Sequence, residues 1–146
     1  MKHVVLFSGG AASAYVAYLI KNDKSIDDKD IVLLHTPTLS ECEDSEKFRL
    51  KVARYLKLPI TVWGRGEDIW DCIERNGAIP GQFLPFCTAD LKQKMKEQYF
   101  KYLDRSGESW IEYVGYGPDE WRRIQKSLAR NEKLGRTVKF PLAEVN

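Results

Sequence analysis

The sequence predicts a mostly parallel α/β sandwich, with helices on both faces of the sheet. Short continuous apolar runs alternate along the chain with segments of helical periodicity, and no internal repeat or low-complexity tract interrupts them. Turns rich in glycine or proline follow several of the apolar runs, as expected where a buried strand ends. In sheets of this kind, ligands bind at the carboxyl ends of the strands, near the switch in strand order. A functional site is therefore expected in the turns that follow the strands.

The first half of the sequence predicts three successive units, each a strand followed by a helix. Apolar runs at residues 4–7, 31–34 and 60–63 predict buried strands. A helix is predicted over residues 11–21, another over about 44–58 and a short one over 68–75. The apolar faces expected for the first two helices consist of Ala12, Val16, Leu19 and Ile20, and of Phe48, Val52, Tyr55 and Leu56.

The second half continues the same alternation. Residues 76–88 combine glycines and prolines with apolar side chains, unlike an ordinary solvent loop, and are a candidate lid. A helix is predicted over residues 89–103, a strand over 110–114 and a basic helix over 119–134. A last strand is expected within 137–142. The apolar positions of the 89–103 helix are Leu91, Met95, Tyr99, Tyr102 and Leu103.

Length and composition favour one compact domain. The 146 residues, 43% hydrophobic and 30% charged, are enough to bury roughly two thirds of the unfolded surface. The 23 Lys plus Arg against 21 Asp plus Glu give a formal net charge of +2 and a pI near 8.4. Such a balance gives no strong nucleic-acid signal, because it provides no whole-molecule field for a phosphate backbone. Any anion site must be local.

The spacing of the cysteines and the length of the apolar runs indicate the cellular compartment of the protein. Cys42, Cys72 and Cys87 lack CxxC spacing, which argues against a disulfide framework, a zinc ribbon or a thioredoxin-type pair. The apolar run at residues 4–7 is too short for a signal-peptide core, and no later run approaches membrane-spanning length. We therefore expect a soluble cytoplasmic protein without membrane contact.

The turn after the first strand, SGGAAS at residues 8–13, has the features of a phosphate-binding loop. Gly9 and Gly10 are expected to adopt backbone angles closed to other residues and to bring N–H groups close to an oxyanion. Ser8 and Ser13 add hydroxyl donors, and a helix N-terminus carries about half a positive charge. The loop matches neither GxxxxGK[ST] nor GxGxxG. The alternative is a tight turn without a ligand, but the position after the first strand and both serines favour phosphate binding.

The loop contains no lysine, so its cation must come from elsewhere. Lys92 lies near the start of one helix, and Arg122, Arg123 and Lys126 occupy the first turns of the basic helix. From those ends the side chains could reach the same crevice. The alternative is a solvated helix face, which we prefer for Arg130 and Lys133.

Acidic residues stand at two helix starts. Asp119 and Glu120 could cap the basic helix or bind a metal. Glu41, Glu43 and Asp44 could orient Mg²⁺ or begin the second helix, and we prefer the second interpretation.

Five segments of the chain, in order, resemble motifs of one known family. They are similar to the PP-loop ATP pyrophosphatases of the adenine nucleotide alpha hydrolase-like superfamily, particularly the branch called phosphoadenosine phosphosulfate (PAPS) reductase-like. The family motifs are an SGGxxS pyrophosphate loop, a strand with an acidic loop and helix, a glycine-proline loop ending in Cys-Thr, a strand end with Asp-Glu and arginine, and a Tyr-Pro-Leu segment. The matching segments read SGGAAS, LLHTPTLSECEDSEKFRLKVARYLKLPI, NGAIPGQFLPFCTADLK, GYGPDEWRRI and FPLAEV. The resemblance covers nearly the whole chain.

The resemblance implies a three-layer, Rossmann-like fold of HUP type. Its five-stranded sheet has the order 3-2-1-4-5 and holds ATP or a related adenine nucleotide, with Mg²⁺. The family's reaction releases pyrophosphate and adenylates an acceptor oxygen, which needs mostly positioning and charge neutralisation. The implied phosphate ligands are Ser8, Gly9, Gly10 and Ser13, and backbone around Phe7, His35 and Thr36 would contact adenine or ribose. Further implied site residues are Cys87, Thr88, Lys92, Gly115, Glu120, Arg122 and Arg123.

The chain also departs from the family pattern. No cysteine follows Cys87, which disfavours sulfonucleotide reduction, and Cys87 has no neighbouring cysteine for an iron–sulfur cluster. Cys87 could be a nucleophile or a sulfur carrier, although a lone cysteine among apolar neighbours is more often a buried apolar residue. Gly117 stands where many members have arginine, so part of the phosphate clamp is lost or moved to Arg122.

Three functions follow from these observations. The first is cleavage of ATP to AMP and pyrophosphate with adenylation of an unidentified acceptor. The second is a non-catalytic module that sequesters or senses an adenine nucleotide. The third is a PAPS reductase-like enzyme that borrows its thiol from a partner. A homodimer could complete the site, with Trp63, Trp70 and Trp121 at the interface or in the core.

Overall fold

A computed structural model describes residues 1–8, 10–36, 43–63 and 93–144. Its strands are β1 (Lys2–Leu6), β2 (Ile31–His35), β3 (Ile60–Val62), β4 (Trp110–Tyr113) and β5 (Val138–Lys139). The helices are α1 (Ala11–Lys21), α2 (Glu43–Leu56), α3 (Lys94–Arg105), α4 (Trp121–Lys133) and α5 (Pro141–Glu144). Two short 3₁₀ turns, Asp28–Asp30 and Pro118–Glu120, precede β2 and α4.

The five strands form one sheet in the order β3-β2-β1-β4-β5, and every pair is parallel. Val4 of β1 is paired with Val32 on one side and with Glu112 on the other, so β1 lies at the centre. The chain moves outward in one direction from β1 to β3 and in the other from β4 to β5. This confirms the expected strand order and places the switch point between β1 and β4.

Helices cover both faces of the sheet, which confirms the three-layer architecture. Val4 and Val5 point to opposite faces because side chains alternate along a strand. Val5 belongs to the core beneath α1 and α2, together with residues such as Val16 and Leu56. Val4 belongs to the core beneath α3, and Leu6 also packs against the cluster beneath α4.

The buried faces of α1 and α2 differ from those predicted. The buried residues of α1 are Ser13, Val16, Ala17 and Ile20, whereas Ala12 is exposed. In α2 the side chains of Phe48 and Tyr55 are 40% and 76% exposed, and the buried residues are Arg49, Ala53 and Leu56. Helical periodicity admits several stripes, and contacts with the sheet select one of them. The selected stripes include a serine and an arginine that composition would place outside.

The C-terminal part also differs from expectation. The predicted strand within 137–142 divides into β5 and the short helix α5, which begins at Pro141. Proline suits a first helical position because its missing N–H would have no partner there. The basic helix begins as a 3₁₀ turn and becomes α-helical at Trp121. The predicted 68–75 helix, the candidate lid and Trp70 lie outside the described residues.

Ion pairs connect α3 to its neighbours. Lys96 Nζ lies 3.1 Å from Glu112 Oε1, and the Glu112 side chain is only 3% exposed. Glu97 pairs with Arg136 and with Arg130 of α4. In the part of the chain that is described, no helix has the length and apolarity required to span a membrane.

Candidate functional site

The carboxyl ends of β1 and β2 lie side by side, next to the start of α1. The Phe7 N–H donates to Leu34 O at 2.8 Å, and a 3.2 Å hydrogen bond joins His35 Nδ1 to Phe7 O. These two bonds hold the end of β1 against the end of β2. Thr36 follows His35 directly at the same edge. The structure therefore brings Phe7, His35 and Thr36 beside the turn between β1 and α1, which begins at Ser8 and ends at Gly10 and is called the Ser8 turn below. This is the edge at which a parallel sheet binds ligands.

The serines of the loop face each other. Ser8 Oγ and Ser13 Oγ lie 3.3 Å apart, and the Ser13 hydroxyl donates to Gly10 O at 3.0 Å. The Gly10 N–H points toward Ser8 Oγ at 3.4 Å. Ser8 and Gly10 are exposed, whereas Ser13 is buried. The loop thus presents one hydroxyl to solvent, supported by a second one beneath it.

Helix α1 begins without an acidic or capping side chain. Gly10 is its N-cap, and the first turn contains no carboxylate. Helix α2 contrasts with it, since Glu43, Asp44 and Glu46 all lie in its first turn, as the preferred interpretation of Glu43 and Asp44 expected. The first N–H groups of a helix have no partner within the helix, and they carry the positive end of its dipole. The start of α1 is therefore suited to an external anion.

The expectation that Gly10 adopts backbone angles closed to other residues is wrong. Gly10 has φ −85° and ψ 162°, an extended conformation that any residue adopts. Among the residues that the structure describes, a Cβ built there would contact Ser8 Oγ alone, at 3.7 Å. Backbone strain therefore does not require this glycine. What its missing side chain provides is open space in front of the α1 amides.

Gly115 is a case in which close packing does require glycine. A Cβ at this position would lie 3.2 Å from both Ala12 C and Ser13 N, which are backbone atoms of the first turn of α1. The chain leaving β4 therefore lies directly against the loop. This places the predicted site residue Gly115 beside Ser13, where it supports the position of α1.

Arg49 is a residue at the site that the sequence did not indicate. It lies on the buried stripe of α2 and is only 6% exposed. Its Nη1 donates to the carbonyl oxygen of Ser8 at 3.4 Å. Its position in the sequence could have indicated that it is buried, because Ala53 and Leu56 follow four and seven positions later on the same helical face. A charged residue at a core-facing position needs a specific partner.

The predicted residues at the start of α4 have other partners. Glu120 Oε2 accepts from the Gly117 N–H at 3.0 Å, and Glu120 Oε1 accepts from Arg123 at 3.0 Å. Arg123 also lies over the Tyr116 ring, and Arg122 lies over the Trp121 ring. Glu120 thus caps its own helix, as one of the two interpretations expected. Within the described residues, neither arginine forms a hydrogen bond with the Ser8 turn.

Several predicted site residues cannot be placed. Gly9, Cys87, Thr88 and Lys92 lie outside the described residues, as does Glu41. Among the residues that are described, no group of three or more His, Cys, Asp or Glu side chains could hold a metal ion. Mg²⁺ usually keeps several waters and binds through few protein oxygens together with substrate phosphates. The hydroxyl oxygen of Ser8, which is exposed beside the start of α1, is a protein oxygen that fits that mode of binding.

His3 and Tyr113 are two residues with shifted pKa values that form a hydrogen-bonded pair. At the amino end of β1, His3 Nδ1 and the Tyr113 hydroxyl share a 2.8 Å hydrogen bond. Burial, followed by the charge of the amino terminus, lowers the pKa of His3, and burial raises the pKa of Tyr113. This pair stabilises the contact between β1 and β4, with no part in the candidate site.

Comparison with known proteins assigns no family. No model of a protein family matches the chain, and no curated protein sequence matches it significantly. Membership of the PP-loop superfamily therefore remains a prediction from the motifs.

Proposed function

We propose that this protein binds an adenine nucleotide at the Ser8 turn and cleaves ATP to AMP and pyrophosphate. The observation that carries the proposal is the start of α1, which has no acidic or capping side chain and lies at the switch point of the sheet. Phosphate oxygens are the ligand class that uncapped helix amides at this position bind best. An acceptor oxygen, or water in its absence, attacks the α-phosphate and takes the adenylyl group as pyrophosphate leaves.

Each part of the site would act on the nucleotide in a different way. The amides of α1 and the Ser8 hydroxyl would hold the terminal phosphates, because helix N-terminal amides are donors and the exposed Ser8 hydroxyl lies beside Gly10, the residue that begins the helix. Peptide groups at the ends of β1 and β2 would contact adenine or ribose. Mg²⁺, bound with the phosphates, would supply charge neutralisation during release of pyrophosphate.

A second candidate is binding without turnover. Glu120 and Arg123 pair with each other, and Arg122 lies over Trp121, so these side chains are engaged away from the Ser8 turn. Gly117 moreover stands where the PP-loop family often carries arginine. A site with fewer side chains to stabilise developing charge would bind a nucleotide more readily than it would cleave it.

One experiment separates the two candidates. The protein is incubated with Mg²⁺ and α-labelled ATP, and products are resolved while binding is measured by calorimetry. AMP and pyrophosphate in equal amounts support the enzyme, whereas binding without products supports the module. Ser8→Ala should weaken ATP binding in either case. Ser106→Ala is the matched control, because the Ser106 hydroxyl only contacts Tyr102 O, on α3. Absence of ATP binding at millimolar concentration would overturn both.

A further inference from the structure

We infer that Arg49 supplies the cation that the Ser8 turn lacks, and that it acts as a positioning residue for a pyrophosphate group. The inference rests on the proposed function and deepens it by naming the charge beneath the loop. The sequence had indicated Lys92, Arg122, Arg123 and Lys126 as possible sources of this charge, and Arg49 was not among them.

The guanidinium group of Arg49 lies against the backbone of the Ser8 turn. Arg49 is 94% buried and its Nη1 lies 3.4 Å from Ser8 O. An arginine side chain remains protonated under all ordinary conditions. A full positive charge is therefore enclosed beneath the turn that carries the Ser8 hydroxyl. Because burial reduces screening by solvent, that charge acts more strongly on a nearby anion than an exposed one would.

Arg49 also bears on the orientation of the Ser8 carbonyl group. Its oxygen carries partial negative charge, which would repel a phosphate if it faced the ligand. The bond from Arg49 fixes this oxygen toward α2. Arg49 thus removes an unfavourable dipole from the loop and adds a favourable charge. It acts through Ser8, without a need to contact the ligand itself.

The arginines of α4 differ from Arg49 in position. Arg122 and Arg123 are exposed residues, and they lie over the rings of Trp121 and Tyr116. The Arg123 guanidinium donates to Glu120 Oε1 at 3.0 Å. In the described part of the chain, Arg49 is the basic side chain with a hydrogen bond to the residues of the Ser8 turn.

The test uses inorganic pyrophosphate, ATP and AMP as separate calorimetric probes. Arg49→Gln keeps a polar side chain but removes the charge, and we expect a loss of about tenfold or more in affinity for pyrophosphate and ATP. AMP affinity should change by less than about twofold, since AMP lacks the group that the cation serves. Arg54→Gln is the matched control, because Arg54 is an exposed arginine of the same helix, and it should bind all three probes like the unmodified protein.

Each outcome decides the inference. Pyrophosphate affinity unchanged in Arg49→Gln overturns it, and so does an equal loss for AMP and ATP, which indicates only a structural role. If Arg49→Gln does not fold, Arg49→Met decides: methionine removes the charge and fills the buried position with an apolar side chain of similar length, and we expect a pyrophosphate affinity reduced by about tenfold or more. No change in that variant overturns the inference. Arg49-dependent pyrophosphate binding without ATP binding would remove the proposed function alone, and binding of neither removes both.

Discussion

Replacing Gly10 with aspartate should stabilise the fold and abolish nucleotide binding. The N-cap of α1 has φ −85° and ψ 162°, which aspartate adopts readily, and a new Cβ meets Ser8 Oγ at 3.7 Å. Aspartate in place of a glycine cap contributes a few tenths of a kcal/mol, and its charge at the helix N-terminus contributes about 0.3–1 kcal/mol more. The free energy of unfolding should therefore rise by roughly 0.5–1.3 kcal/mol, or about 1–5 °C in Tm.

The same carboxylate should exclude the ligand. It would accept hydrogen bonds from the amides that a phosphate needs, and it would repel the phosphate charge. Two like charges about 4 Å apart near a protein surface repel by roughly 4 kcal/mol, so ATP affinity should fall more than about 100-fold. Urea denaturation and calorimetry with ATP measure the two effects on one protein sample.

Gly10→Asn is the control, because asparagine caps the helix without a charge. It should stabilise less than aspartate and weaken ATP binding less. Wild-type ATP affinity in Gly10→Asp would refute the assignment of the α1 amides as the phosphate site. A fall in the free energy of unfolding would refute the description of Gly10 as an unstrained N-cap.

Three further predictions concern the stability of the fold. Gly115→Ala places a Cβ against the backbone of α1, so it should lower the free energy of unfolding by about 1–3 kcal/mol and weaken ATP binding. Gly117→Ala places a Cβ against Asp119 Oδ1, the end of a side chain that can move aside, so it should lower the free energy of unfolding less. Thermal unfolding of both variants measures the difference. Lys96→Met leaves the buried Glu112 carboxylate without its cation and should cost about 3–5 kcal/mol, which Lys96→Met with Glu112→Leu should largely recover in urea denaturation. Burial lowers the pKa of His3 from its ordinary value of 6.5, so the unfolded chain binds this proton at higher pH than the folded protein does. Stability should fall as the pH drops below about 6.5 and fall less in His3→Gln; equal pH profiles would contradict this.

The start of α1 shows which features of the structure can be predicted from a local sequence pattern. The Ser-Gly-Gly turn, the apolar run before it and the helix after it are consecutive in the chain, and α1 has the predicted bounds. The helix-initiating acids of α2 were likewise readable from position alone. The interpretation of Gly10 was wrong because a glycine in a turn indicates freedom of φ and also small size, and only its dihedral angles distinguish the two.

The alternation of apolar runs and helical segments by itself determined the layered α/β architecture, since buried strands and amphipathic helices have different backbone periods. Tertiary structure alone decided which side of each helix is buried and which distant residues meet. Arg49 reaches Ser8 across 41 positions of sequence, and His3 reaches Tyr113 across 110. Such partners depend on strand order and helix rotation, which arise when the whole sheet packs, because one periodic pattern is compatible with several rotations and a single register satisfies the core.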